Sequence, residues 1–341
     1  MGCGNVSRKY LTTLAQDDRV IVVCCADIDP QKAATLAKEF GIARSLGVHE
    51  LLIDETVDLV LNLTVPVAHA EISLAALEAG KHVYSEKPLA SSIAEAELIL
   101  ATAKERGLVV GCAPDTFLGS GIQATQALIE AGAIGRPLVA QCTLFTQGPE
   151  LFHPGPEFLY LPGTGPLFDV GPYLVTALML IMGPVDSVTA FTATPRPERT
   201  LAVGDRAGAT FLSQAATFIS ATLQFASGAV GTIAQSWDVV GTVSPPLEIH
   251  GTEGSIIGPQ PDDWCGSPLI RRLGESAFRQ PDTWTGIPVG PGGLGLGLLQ
   301  MSTAIREGRS PEASGERARR TLEVLLAISE SGATGQRIEI A

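Results

Sequence analysis

The chain has 341 residues, a formal net charge of −13, and 45% hydrophobic against 17% charged residues. Single cores stop growing at roughly 250 to 300 residues, so this length implies two domains, and the apolar share excludes a disordered chain. The acidic balance, with no local run of Lys and Arg, excludes nucleic acid as a partner. The strongest apolar stretch, Tyr173 to Met182, is far shorter than the roughly 20 residues that cross a bilayer.

The N-terminus lacks the basic start and apolar core of a secretory signal. Met1-Gly2 would suit myristoylation, but Val6 stands where Ser or Thr is needed. Cys3, Cys24, Cys25, Cys112, Cys142 and Cys265 contain no C-x-x-C pair, and most lie in apolar segments. A reducing cytoplasm and no metal site are therefore expected.

The first stretch with chemistry in it is Gly2-Cys3-Gly4-Asn5-Val6-Ser7. Gly2 and Gly4 are spaced as the first two glycines of a dinucleotide-binding loop, with Ser7 where a third Gly or Ala is usual. Such a loop lets the backbone N–H groups around Gly2, Gly4, Asn5 and Val6 approach a pyrophosphate at a helix N-terminus, where the helix dipole favours negative charge. Val20–Ala26 reads as a buried strand that ends at Asp27, placed to hydrogen-bond the adenosine ribose hydroxyls. A carboxylate there repels a 2′-phosphate, so NAD is favoured over NADP. A loop of this kind should follow a buried strand, yet only Met1 precedes Gly2. In the strand order 3-2-1-4-5-6 that strand is central, and the expectation is that the natural start lies upstream.

Asp29-Pro30 opens a helix that runs through Phe40 and is stopped by Gly41. Val57–Thr64 reads as a strand, 68–79 as a helix stopped by Gly80, and His82–Ser85 as a strand. A helix carrying Ile93, Ala96, Ile99, Leu100 and Ala103 leads to the strand run 108–112. This alternation predicts a parallel sheet covered on both faces. Glu86-Lys87-Pro88 follows His82–Ser85 directly, so Lys87 falls at the carboxyl edge of the sheet, where ligands of such folds bind.

The pattern changes after residue 114. A helix over 120–130 precedes strand-like runs, and 217–225 and 229–237 alternate around Ser227-Gly228 as hairpin strands do. Residues 196–208 and 258–297 read as long loops. His153 lies in a proline-rich stretch, with a sugar-contacting role and a plain loop role equally open, while His49, His82 and His250 read as structural. Trp237 and Phe225 read as core. The fold class is therefore α/β: an N-terminal Rossmann domain over residues 1–114, its first strand missing, and a C-terminal α+β domain over 115–341 with a mainly antiparallel sheet.

Taken together, the glycine loop, Asp27, Asn62-Leu63-Thr64-Val65-Pro66, His69, Glu86-Lys87-Pro88, Cys112–Leu118, Gly163–Tyr173 and His250–Gly254 resemble the glucose-fructose oxidoreductase and inositol dehydrogenase family. The likeness runs over essentially the whole chain. It implies a nicotinamide-dependent oxidoreductase that moves a hydride between NAD and a secondary alcohol carbon of a sugar, polyol or related cyclic compound. It further implies that Thr64, Pro66, His69 and Glu86 line the cofactor and that Lys87 assists proton removal from the substrate hydroxyl.

Where the family usually carries Asp-x-Gly-x-His, this chain has Asp169-Val170-Gly171-Pro172-Tyr173, with Asp169 and Tyr173 expected on one helix face. The resemblance makes Asp169 and Tyr173 catalytic and substrate-binding, with His153 a further substrate contact. The family's next Asp is Thr176 here. A homodimer or homotetramer is expected. Two other activities stay open: an NAD-dependent glycosidase of the same family, which would release sugar without net NADH, and a catalytically silent cofactor-binding regulator.

Overall fold

A computed structural model describes residues 1–281 and 293–340. The chain divides into two units. The first comprises Met1–Leu118 and, later in the chain, residues 293–322; the second comprises residues 119–281 and 323–340. The first unit thus takes in a late stretch that a single division at residue 114 does not include.

In the first unit, strands and helices alternate. Cys25–Ala26 pairs in parallel with Ser45–Leu46, while Leu59–Asn62, His82–Ser85 and Val110–Cys112 form a separate three-stranded parallel sheet. The helix Pro30–Phe40 starts where expected: the Asp29 side chain accepts from Gln31 N at 3.0 Å, filling an otherwise orphan donor, and Gly41 closes the helix at φ +67°. The helices His69–Glu78 and Ile93–Glu105 follow, the second capped by Ser92.

One expectation fails here. Of the run read as a buried strand over 20–26, only Cys25 and Ala26 are paired, and Ile21 is 84% exposed. A strand is held by its neighbours' hydrogen bonds, and apolar composition alone cannot supply them.

The second unit is built on an eight-stranded sheet whose neighbours pair antiparallel except for Pro137–Phe145 with Val230–Ser236, which run parallel. Phe218–Phe225 and Val230–Ser236 form the expected hairpin. Ile219, Ala221, Leu223 and Phe225 point inward and Ser220, Thr222 and Gln224 outward, and Trp237 is buried as read. The helices Ser120–Glu130 and Gly171–Met182 belong to this unit, and the second packs on the parallel pair.

Part of the stretch read as a loop over 196–208 is a strand, since Glu198–Thr200 pairs with Thr210–Leu212. In the stretch 258–297, Leu269–Arg272 is a strand at the sheet edge and the helix Leu296–Arg306 begins near its end, while residues 282–292 lie outside the described residues.

Arg199 explains the strand at 198–200. Its side chain is fully buried and donates to Glu150 Oε1 at 3.2 Å, Trp237 O at 3.1 Å and Asp238 Oδ1 at 2.5 Å. Tyr160 also donates to Glu150, and Thr217 to Asp238 at 2.6 Å. Removing one partner of a buried pair strands the other charge, which costs about 3–5 kcal/mol. We expect Arg199→Ala to lose stability of about that size in urea unfolding, whereas Arg196→Ala, whose side chain is 58% exposed on the same Glu150, should cost under about 1 kcal/mol.

Candidate active site

The residues singled out in the first unit meet at the carboxyl ends of its strands. Gly2 is the tightest point. Its φ is +88°, and a Cβ there would lie 2.4 Å from Leu63 O. Gly2 N donates to Ala26 O at 2.9 Å, and Met1 O accepts from Leu63 N at 2.8 Å, so the loop is held against two strand ends at once. Gly4 then caps the helix Asn5–Leu14 with open space around its α-carbon. No side chain caps the helix and no acidic residue occupies its first turn. Uncapped amides in open space at a helix N-terminus fit a pyrophosphate. Ser7, in the place of the usual third glycine, is buried and turns its hydroxyl back to Gly4 O at 2.6 Å.

Asp27 lies beside this loop. Its Oδ2 accepts from Cys3 N at 2.7 Å and its Oδ1 from Asp29 N at 2.9 Å. Each carboxylate oxygen has two lone pairs, so one on each remains for a ribose hydroxyl.

Asn62 is fully buried and organises the next loop. Its amide donates to His69 O and Ser73 Oγ, and its Oδ1 accepts from Thr64 Oγ1 at 2.7 Å. His69 is buried too, one ring nitrogen 2.6 Å from Pro88 O and the other 3.1 Å from Thr64 O. It therefore ties the Thr64 loop to the Glu86-Lys87-Pro88 turn, while Pro66 is exposed between them.

Glu86 sits under that turn. Its Oε1 accepts from the buried Tyr10 hydroxyl at 2.8 Å and its Oε2 from Lys87 N at 3.0 Å, while Glu86 N donates to Asn62 O. Burial, then the Glu86 charge, holds the Tyr10 hydroxyl well above its ordinary range, so it stays a donor. Lys87 itself is half-buried, and the Lys87-Pro88 and Ala113-Pro114 bonds are cis. Tyr10 was missed by sequence reasoning, because its partner lies 76 residues away.

In the second unit, Asp169 and Tyr173 do not share one helix as expected. Asp169 is the last residue of the short helix Pro166–Asp169, and Tyr173 is in the first turn of Gly171–Met182. Pro172 marks that second start, since Pro is suited to a first turn. Gly171 is pressed against Leu325 and the buried Gln235 amide, which has no hydrogen-bond partner. His153 accepts from Gly155 N at 3.0 Å through Nδ1 and packs edge-on against Phe158. Asp262 was not foreseen: burial first, with nearby Asp263 and Asp169 adding, raises its carboxyl above the ordinary range. His82 and His250 are structural, bonded to Val109 N and Ser255 Oγ.

The first unit's loop, helix N-terminus and acidic strand end form the binding edge of a dinucleotide-binding Rossmann fold, the cofactor half of an oxidoreductase. Residues 1–113 match the family described as oxidoreductase family, NAD-binding Rossmann fold, and residues 122–257 match the GFO/IDH/MocA C-terminal domain. The chain belongs to this family and is an NAD-dependent oxidoreductase.

The chain is 27% identical to the 1,5-anhydro-D-fructose reductase of Ensifer adhaerens over 100% of its own length and 97% of the relative's. It is 32% identical to the dTDP-3,4-didehydro-2,6-dideoxy-alpha-D-glucose 3-reductase of Streptomyces violaceoruber, covering 71% of this chain and 69% of that one. Among solved structures, levoglucosan dehydrogenase in complex with NADH and levoglucosan superposes with a TM-score of 0.83 at 25% identity, over 99% of this chain and 97% of that one. No helix among the described residues is long and apolar enough to cross a membrane, and no group of three or more His, Cys, Asp or Glu among them could hold a metal ion.

Asp115 gives the first unit a measurable pH signature. It is fully buried, its Oδ2 accepts from Gly295 N and Gly297 N, and its Oδ1 has no partner. Burial pushes its carboxyl from the ordinary 3.8 up to about 6, against the pull of those two amides. The folded state therefore holds this proton more tightly than the unfolded state, and the group subtracts stability as pH rises through that window. We expect the stability of Asp115→Asn, relative to the parent, to climb by up to about 3 kcal/mol between roughly pH 4 and pH 6. Urea unfolding at a series of pH values reads this, and a flat difference would contradict it.

Proposed function

We propose that the protein oxidises, or in reverse forms, a secondary alcohol carbon of a sugar, polyol or related cyclic compound, with Lys87 as the proton-transferring residue. The observation that carries this reading is the turn at Glu86-Lys87-Pro88. Lys87 follows the end of His82–Ser85, its N–H fixed by the Glu86 carboxylate, in the same unit as the Gly2 loop.

NAD, when bound, supplies the hydride acceptor. The chain's own residues must hold the alcohol and take its proton as the C–H bond breaks. A Lys amine does this when neutral, and burial with a cationic ring nearby favours the neutral form. Asp169 is assigned to orienting the substrate, and the Tyr173 hydroxyl to steadying or relaying the proton in place of the family's usual His. His153 is a further candidate contact for a sugar hydroxyl. Asp27 is assigned to the adenosine ribose, and Gly2, Gly4, Asn5 and Val6 to the pyrophosphate. Thr64, Pro66 and His69 are assigned to the nicotinamide side, with Glu86 shaping the backbone there.

The support for a sugar rather than another alcohol is the company the chain keeps: relatives named for 1,5-anhydro-D-fructose, levoglucosan and a dTDP-linked deoxyhexose. A panel of levoglucosan, 1,5-anhydro-D-glucitol, myo-inositol and common aldoses with NAD, followed by nicotinamide absorbance, tests the class. We expect turnover of at least one ring alcohol, and Lys87→Ala to lower kcat on it by about 10²- to 10⁴-fold while NADH binding stays close to the parent's. Undiminished turnover in Lys87→Ala would remove this residue from the reaction.

A further inference from the structure

Glu86 and Asp115 are buried carboxylates at the carboxyl edge of the three-stranded parallel sheet in the first unit. Glu86 directly follows His82–Ser85, and Asp115 lies three residues beyond Val110–Cys112. The two strands are neighbours, and Ala113 N donates to Ser85 O at 2.9 Å, so the segments that leave them run side by side. The Cys112 thiol also donates to Glu86 O at 3.6 Å. Asp115 itself is unevenly satisfied: Oδ2 accepts from Gly295 N at 3.0 Å and Gly297 N at 2.9 Å, whereas Oδ1 is buried with no partner. The Tyr84 hydroxyl is a second orphan beside it, fully buried and without a hydrogen bond. Both groups press on Gly297, where a Cβ would collide with Tyr84 Oη and lie 2.9 Å from Asp115 Cβ. A tyrosine hydroxyl donates to a carboxylate and accepts from a carboxylic acid, so Tyr84 suits either protonation state of its neighbour.

The elements packed around Asp115 bring acids to it. Tyr84 comes from His82–Ser85, Cys112 from Val110–Cys112, and Tyr10 from the helix Asn5–Leu14, where it donates to Glu86 Oε1 at 2.8 Å. Burial holds all three well above their ordinary ranges, so each stays neutral. The helix Leu296–Arg306 carries no charged side chain before Arg306, which lies at its far end and donates to Arg19 O. The charged side chain that acts most on Asp115 is therefore Glu86, another anion. Burial first, with Glu86 adding, moves the Asp115 carboxyl up to about 6 against the pull of its two amides. Carboxylates buried side by side resist ionising together, and a cation arriving nearby favours the ionised form. The two forms of the cofactor differ in that respect. They share the pyrophosphate and adenosine, and only oxidised NAD carries a positive nicotinamide ring.

We propose that Asp115, beside Glu86 and Tyr84, is a proton-binding site coupled to the oxidation state of the cofactor, which releases its proton when NAD binds and keeps it when NADH binds. The O–H bond of the Asp115 carboxyl breaks, the proton passes to the buffer, and the carboxylate left behind offsets the charge of the ring. The proposal rests on the assignment of the Glu86-Lys87-Pro88 turn to the nicotinamide side. Its sign follows from linkage: a carboxyl that ionises more readily in the NAD complex makes NAD bind more tightly as pH rises through roughly pH 5 to 7, and leaves the affinity for NADH level.

The test is isothermal titration of the intact chain with NAD and, separately, NADH between roughly pH 5 and pH 8, in two buffers of different ionisation enthalpy, so that protons released on binding are counted. The Kd for NAD should fall about five- to tenfold from about pH 5 to about pH 7.5, with release of about half a proton near pH 6, while that for NADH changes less than about twofold. Asp115→Asn keeps an oxygen for the Gly295 and Gly297 amides and has no proton to lose, so NAD should then behave as NADH does. If that variant does not fold, the parent decides alone, because NADH at the same pH is its internal reference. Parallel pH dependence of the two nucleotides in the parent, or an NAD slope that survives in Asp115→Asn, would overturn the proposal and leave the cofactor edge intact. Failure of both nucleotides to bind at any pH would overturn the edge assignment and the proposal together.

Discussion

Gly2 N donates to Ala26 O while the α-carbon of Gly2 is so close to Leu63 O that no side chain fits. This close approach sets the positions of the elements around it. It fixes the start of the helix Asn5–Leu14, whose uncapped amides face the open space around Gly4, and it sets the distance from that helix to Asp27. Through Leu63 it also fixes the end of Leu59–Asn62, from which Asn62 O positions Glu86 N and with it the Lys87 turn. A backbone contact of this kind tolerates no looseness, because packed interiors deform in steps rather than continuously.

Around that contact the site is held by polar groups that are themselves buried and satisfied. Asn62 uses both ends of its amide and Glu86 both carboxylate oxygens, while the His69 ring lies between the carbonyl oxygens of Pro88 and Thr64. Such networks rigidify a site when every member is paired. The groups that fix the Lys87 turn are themselves committed to backbone atoms and to the side chains of Tyr10, Ser73 and Thr64. In the second unit the Glu150, Tyr160, Arg199 and Asp238 cluster joins the segment that carries His153 to the strand at 198–200 and to Trp237 and Asp238, just beyond Val230–Ser236.

Much of this was legible in the sequence because it is local. Asp29 and Gly41 bound their helix through contacts within a few residues, the 217–237 hairpin shows period-two burial, and Lys87 is placed by the strand immediately before it. What stayed hidden was long-range or relational. Tyr10 and Glu86 are 76 residues apart, and Asp115 and Gly295 are 180 apart. The strand at Glu198–Thr200 is recruited by a buried Arg that composition presents as a surface charge. Val20 to Cys24 has a strand's composition and no partner strand, so it is not one. Helical spacing would put Asp169 and Tyr173 on one face, whereas a new helix begins at Gly171 between them.

The measurement that bears most directly on the account is a fluorescence titration of the protein with NADH and, separately, NADPH. A close-held glycine loop with Asp27 beside it requires saturable NADH binding, competed by NAD, and NADPH binding at least about tenfold weaker, because the 2′-phosphate would face a carboxylate. Absence of binding by either nucleotide, or equal affinity for both, would contradict the assignment of this edge.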